Sequence, residues 1–397
     1  MNRVLYILLA AVIIIALPLF AGWVPFIGEF IPKVLIMLYV VSFAPFLMKN
    51  KAFLFLLLFY IYVILQSVAL GYELDFVTWF ANFMDFALPI FLLQAAIKYD
   101  NEKTVEKLAK FAIIYIFVTI LLSIIVMIND PTALRQQQAM TVMGEYDMAY
   151  QYKRQGLASY GIAAMVMCMP AVLISIFKSS SNKKVKLVSV IGVALSLVFM
   201  WMGQVTTTSI ICISLTFMAF FIRSNAPRSI LFAAILLLLV AGFFGESIID
   251  TITPYTEETA MGSKFANLSS QIHGGQIETE EGSIEGRSSL TALTLSVFYN
   301  NLFIGDPHGY IGGHNYFIDR LALYGIIGVV PFFLMIFSLY KMTIRYLPSN
   351  KHGIFTLIFL GFISLGLLKN MPGIDYWLFM FCFYPFILKY SIRFDGS

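Results

Sequence analysis

FAIIYIFVTILLSIIVMI, residues 111–128, runs without a charge, a glycine or a proline. A run of this length meets the requirement for one helix through a hydrocarbon core of ~30 Å. Lys107 and Lys110 precede it and Asp130 follows, so polar residues mark both ends. Working outward, similar runs lie near 4–22, 34–48, 52–70 and 76–97 on one side, and near 157–177, 186–203, 205–222, 229–245, 320–340, 353–368 and 374–390 on the other. In the 397 residues, hydrophobic side chains make up 60% and charged ones 12%, with a mean hydropathy of +0.85, and a soluble surface cannot absorb such a balance. The expectation is an all-α, polytopic membrane helical bundle of about 12 transmembrane helices. Residues 1–245 hold helices 1–9, residues 246–313 a long polar loop, and residues 314–397 helices 10–12. The first run is long, lacks a small-residue cleavage site and is followed by many like it, so it reads as a retained span rather than a signal peptide.

Basic residues set the orientation. With the amino terminus inside, 18 of the 26 lysines and arginines fall in inward segments and eight outward, as the positive-inside rule requires. Both termini are then expected in the cytoplasm, with residues 129–156 and 246–313 as extracytoplasmic loops. A net charge of +4 with no Arg-rich stripe gives no reason to invoke nucleic acid. Cys168, Cys212 and Cys382 all fall inside apolar runs, which argues against disulfides and thiolate metal sites.

The second outward loop is the richer one. Within it, residues 288–303 can form a short amphipathic helix, with Leu290, Leu293 and Val297 at helical spacing and Ser288 or Ser289 as the cap. Next comes GDPHGYIGGHNY, residues 305–316, in which Gly and Pro permit a tight loop and His314 offers an imidazole able to exchange protons near neutral pH. His314 is therefore a candidate general base; the plainer reading is that it hydrogen-bonds the loop. Arg287, near the start of the helix, and Arg154, just before an apolar run on the side where few basic residues are expected, are candidate anion contacts. For Arg154 the plainer readings are pairing with Glu145 or Asp147, or snorkelling to headgroups.

Two weak metal footholds exist, His308 with His314 and Asp306, and Glu145 with Asp147, but neither spacing is specific and no metal or other cofactor is expected. Asp85 lies in the middle of an apolar run, so it should be protonated, paired or facing a wet cavity, either as a structural residue or as a proton relay. Asp319 and Arg320 read as an interfacial ion pair.

Residues 305–328, GDPHGYIGGHNYFIDRLALYGIIG, resemble the signature stretch of the O-antigen ligase and polysaccharide polymerase family of membrane glycosyltransferases. Arg287, Asn301, Gly305, His314, Asn315, Gly325 and Gly328 match its pattern of a loop Arg opening a helix, an N-x-x-x-G turn, a His-Asn pair and a Gly-rich span. Arg154-Gln155-Gly156 is similar to the Arg-x-Gly entering an earlier span. QVTTTSI, residues 204–210, departs from it, because relatives often carry a Ser-Arg pair there.

The resemblance implies transfer of a glycan from an undecaprenyl-diphosphate-linked oligosaccharide donor to an acceptor hydroxyl, at the outer face of the bacterial cytoplasmic (inner) membrane. It implies His314 as the base, Arg154 and Arg287 on the diphosphate, and Asn315, His308, Tyr316 and Arg320 as further substrate contacts. Partners would be the lipid-linked donor and acceptor, membrane lipids and, as a further candidate, a chain-length regulator. The compact cytoplasmic parts favour a polymerase. The alternatives are an O-antigen ligase, which transfers glycan to a lipid A core or a protein, and a lipid-linked oligosaccharide flippase or proton-coupled transporter built around Asp85.

Overall fold

The computed structural model describes residues 25–73, 75–99, 102–143, 145–203, 205–222, 284–309, 311–313, 315–371 and 373–391. Among these every regular element is helical. In chain order they are α1 (Pro25–Phe43), α2 (Lys51–Leu70), α3 (Phe76–Tyr99), α4 (Glu102–Asn129), α5 (Ala133–Met143), α6 (Tyr146–Arg154), α7 (Tyr160–Val166), α8 (Met169–Ser179), α9 (Lys183–Met202) and α10 (Thr206–Phe221). After the undescribed segment come α11 (Ile284–Asn300), α12 (Tyr316–Tyr346), α13 (His352–Leu368), α14 (Ile374–Leu378) and α15 (Tyr384–Tyr390), the last two joined by a π-helical turn at Phe379–Phe383.

Seven stretches of the described chain are long and apolar enough to cross a membrane: Lys51–Leu70, Phe76–Lys98, Thr104–Asn129, Tyr160–Ser179, Lys183–Met202, Tyr316–Tyr346 and Ser349–Leu368. The chain is thus a polytopic α-helical membrane protein. Its outer surface fits that solvent. On α4, Ile114, Val118, Leu121, Ile125 and Ile128 recur at helical spacing and are each 45–66% exposed, a stripe that water would not tolerate and lipid would.

Of the other five expected spans, 4–22 and 229–245 lie outside the described residues. The one expected at 34–48 is a helix that starts at Pro25 and stops at Phe43, because Pro45 disfavours helical geometry at Ala44 and opens a short 3₁₀ turn, Pro45–Met48. Thr207–Phe221 is apolar but short, and the stretch expected at 374–390 is divided by its π turn. Pro170 similarly starts α8 just after α7 and its Met167–Cys168 turn, within the run expected at 157–177. The stretch expected at 320–340 is longer, from Tyr316 to Tyr346, and is broken at Gly325.

The core is aromatic and continuous. Phe59, Phe86, Phe332, Phe362 and Trp377 from α2, α3, α12, α13 and α14 stack edge to face or tilted, with centroids 4.7–6.4 Å apart. α12 packs most extensively along α2, and α11 lies against α12, which sets the frame for the glycine-rich segment.

Candidate functional site

The site begins at the break in α12. Gly325 has φ +59° and ψ −173°, outside helical geometry, so the helix divides there and its backbone groups lose their usual partners. In a bilayer each must be answered by protein. The segment after α11 does this: Leu302 and Phe303 carbonyls accept from the N–H groups of Ile326 (2.9 Å) and Ile327 (3.1 Å), and the Asp306 N–H donates to the Ala322 carbonyl (2.8 Å). Gln66 of α2 donates from Nε2 to the carbonyls of both Leu323 and Ile304, each at 2.8 Å, and Tyr62 Oη donates to Ile304 at 2.5 Å.

This interlock accounts for Gly305, Gly325 and Gly328. Gly305 has φ +77° and donates to the Asn301 carbonyl at 2.8 Å. A Cβ on Gly305 would run into the Gly325 nitrogen, one on Gly325 into Phe303 and Gly305, and one on Gly328 into the Tyr62 ring. Asn301, Gly305, Gly325 and Gly328 therefore hold the loop in the helix gap.

From this anchor the loop folds back along α11. The Gly312 N–H donates to Thr294 Oγ1 (2.8 Å) and Asn315 Nδ2 to Thr291 Oγ1 (2.6 Å). Leu290 lies against Gly312 and Val297 against Gly309. The packed face of α11 is thus Leu290, Thr291, Thr294 and Val297, with Thr294 buried. Leu293, expected on that face, is half-exposed. Ser288 and Ser289 lie inside α11 rather than capping it. Arg287 precedes Thr291 by one helical turn. The Arg287 side chain and the whole of His314 lie outside the described residues, whereas Gly313 and Asn315, which flank His314, lie within them.

His308 occupies the other edge of the loop. Its backbone N–H donates to Asp306 Oδ1 (3.0 Å) and its exposed ring sits edge-on to Tyr72, with centroids 3.8 Å apart. The Tyr72 hydroxyl is pushed above its ordinary range by desolvation and by the Asp306 charge, against a lowering backbone hydrogen bond with His308. The Asp306 carboxylate thus serves a turn.

Tyr316 opens α12 and Arg320 lies one turn further along it. The expected Asp319–Arg320 pair gives way to a different arrangement, because successive helical residues do not face each other. Arg320 instead meets the residues four before and four after it, lying over the rings of Tyr316 (4.9 Å) and Tyr324 (5.5 Å) and donating from Nη1 to Tyr324 Oη at 3.0 Å. Asp319 is itself buried. Nearby, Asp85 is paired with Lys33 of α1 at 2.7 Å, and its charge reaches Tyr60 and Tyr316.

A cavity of about 310 Å³ adjoins the head of α12, lined by Gln138, Ser159, Tyr160, Thr208, Lys369 and Asn370 among others. The Lys369 carbonyl accepts from the Tyr316 N–H (3.3 Å), tying cavity to helix, and its ammonium lies 4.2 Å over the Tyr160 ring. Hydroxyls, amides, an aromatic face and a cation suit a polyhydroxylated or anionic ligand. Arg154 stands apart on the exposed last residue of α6. There Gly156 (φ +92°) packs on Leu122, and Ser123 Oγ accepts from the Ala158 N–H at 2.8 Å. Tyr152 fixes α6 by donating to Gln136 Oε1 (2.5 Å) and Asp130 Oδ2 (3.1 Å).

Asn315, Tyr316 and Arg320 are therefore grouped at one helix head, with His308 at the loop's far edge and Arg154 on a separate element. Sequence reading missed Lys33, Tyr62, Gln66, Thr291, Thr294 and Lys369. Gln66 carried a usable signal, a strongly polar side chain within an apolar run. Fold and site together define a polytopic membrane protein with a loop locked into a broken helix. No protein-family model matches the chain, and no curated protein matches it.

Proposed function

We propose that the protein is a glycosyltransferase that joins undecaprenyl-diphosphate-linked oligosaccharide repeat units into an O-antigen, capsular or exopolysaccharide chain at the outer face of the bacterial cytoplasmic membrane. One observation carries this reading. The loop that contains the His-Asn pair is pinned at Thr291 and Thr294 to the helix bearing Arg287, and at Gly305 to the broken helix that begins with Tyr316 and Arg320. Base, cations and polar cavity would then share one end of the bundle.

In this mechanism His314 takes the proton from the acceptor hydroxyl as that oxygen attacks the anomeric carbon. The bond from this carbon to the diphosphate oxygen breaks, and the electron pair leaves with the lipid diphosphate. Arg154 and Arg287 answer the charge that develops there, so the step requires no metal. A single displacement inverts the anomeric centre. Asp85 needs no transport role under this reading, since Lys33 already compensates its charge.

Reconstitution of the purified protein with lipid-linked repeat units, followed on gels by product length, tests the proposal. Ladders of increasing length are expected. A single transfer seen only with a lipid A core or protein acceptor would indicate a ligase, and flipping without new glycosidic bonds a transporter.

A further inference from the structure

At the far end of α12 from Tyr316 the chain buries a lysine. Lys351 closes the short turn Ser349–Lys351 between α12 and α13 and is only 3% exposed. Its ammonium donates to Ser175 Oγ (3.1 Å) and Ser179 Oγ (3.0 Å) of α8, and Ser179 Oγ passes a hydrogen bond on to the Ser175 carbonyl (2.9 Å). Among the described residues no carboxylate lies against Lys351. Two hydroxyls take two of its three N–H groups without cancelling its charge, and burying an ammonium away from a carboxylate is costly.

Lys178 stands beside it with a different role. Its Nζ donates to the carbonyls of Ala219 (2.8 Å), Phe220 (2.6 Å) and Ile222 (3.4 Å), closing the C-terminal end of α10, where the helix dipole favours a cation. Both lysines, both serines and Asn350 line one cavity of about 560 Å³, and Phe220 and Ile354 add apolar wall. The first turn of α13, which has no side-chain cap, starts at the same place. The His352 N–H there is taken by the Ser349 carbonyl, so the positive charge at the cavity comes from the lysine ammonium groups.

We propose that this cavity binds a phosphate group, with Lys351 as the principal contact and Ser175, Ser179 and Asn350 as hydrogen-bonding walls. The group is carried by an anionic lipid headgroup or is free in solution. The site lies at the opposite end of α12 from the glycine-rich loop and is independent of the glycosyl-transfer reading.

The test is thermal unfolding of the detergent-purified protein in phosphate-free buffer, titrated with inorganic phosphate, phosphatidylglycerol or uncharged diacylglycerol. The expected result is a saturable rise in Tm with phosphatidylglycerol or phosphate and none with diacylglycerol. A response to the lipid alone assigns the headgroup, and a response to phosphate assigns the free ion. Lys351→Gln should weaken the apparent affinity about tenfold or more, the scale of one lost charge-assisted contact. Asn350→Glu keeps both lysines but adds a carboxylate, should abolish the response, and decides the matter if Lys351→Gln does not fold. No rise for the native protein with either phosphate source, or an unchanged response in the folded variants, overturns the proposal.

Discussion

Gly305 and Gly325 meet backbone to backbone, each in a left-handed conformation, and a Cβ on either would strike the backbone nitrogen of the other. This contact holds the loop in the helix break. Gly305→Ala and Gly325→Ala should each cost about 2 kcal/mol or more, combining left-handed strain of ~1–2 kcal/mol with overpacking of ~1–3 kcal/mol. Gly313 is the comparison: its φ is +66° but nothing lies within 4 Å of its added Cβ, so Gly313→Ala should carry the strain alone. Thermal unfolding of the three variants checks the order.

Lys33 and Asp85 should behave as a unit. Asp85→Asn strands a buried ammonium, and a loss of about 2–4 kcal/mol is expected, at the lower side of the range for broken buried pairs because Asp85 retains some exposure. Replacing both, as Lys33→Met with Asp85→Leu, should restore most of that stability. A stable but inactive Asp85→Asn protein would instead favour a proton relay.

Much of the fold was legible because burial in lipid needs long apolar runs, and the α4 sequence shows one plainly. The breaks were harder. Pro45 and Pro170 signal them locally, but Gly325 breaks its helix only because residues 302–306 and Gln66 take up the freed groups, and Gln66 and Tyr62 reach this segment across more than 200 positions of chain. The site shows the same division. Asn315, Tyr316 and Arg320 announced themselves as a motif, whereas Thr291 and Lys369 matter through tertiary hydrogen bonds with no local signature, and Arg320 was mispaired by reading adjacency in sequence as adjacency in space.

Asp75 supplies a pH signature. The Thr78 hydroxyl (2.5 Å) and the Val77 N–H (3.0 Å) bind its carboxylate at the start of α3 and hold its pKa below the ordinary value. A depressed carboxyl pKa contributes stability that is present above the unfolded value of about 3.9 and is lost as pH falls through the folded value. Asparagine caps helices comparably but does not titrate. The difference in Tm between native protein and Asp75→Asn should therefore shrink or reverse in sign below about pH 4 and stay constant from about pH 5 to 7.

Arg154 and Arg287 are expected to act through guanidinium geometry as well as charge. Arg154→Lys and Arg287→Lys should each lower transfer by about tenfold or more, since lysine keeps the charge and loses the fork that grips two phosphate oxygens. Chelation should leave the native rate unchanged. Loss of activity in EDTA, restored by magnesium or manganese, would shift the diphosphate contact to Glu145 and Asp147.

The most direct measurement of the central claim is glycan extension by His314→Ala in the reconstituted assay, with unfolding followed in parallel. The account predicts a fall of about 10² to 10⁴ in rate, the usual contribution of a general base, with the folding transition intact. Normal polymer length and yield from a folded His314→Ala protein would contradict it.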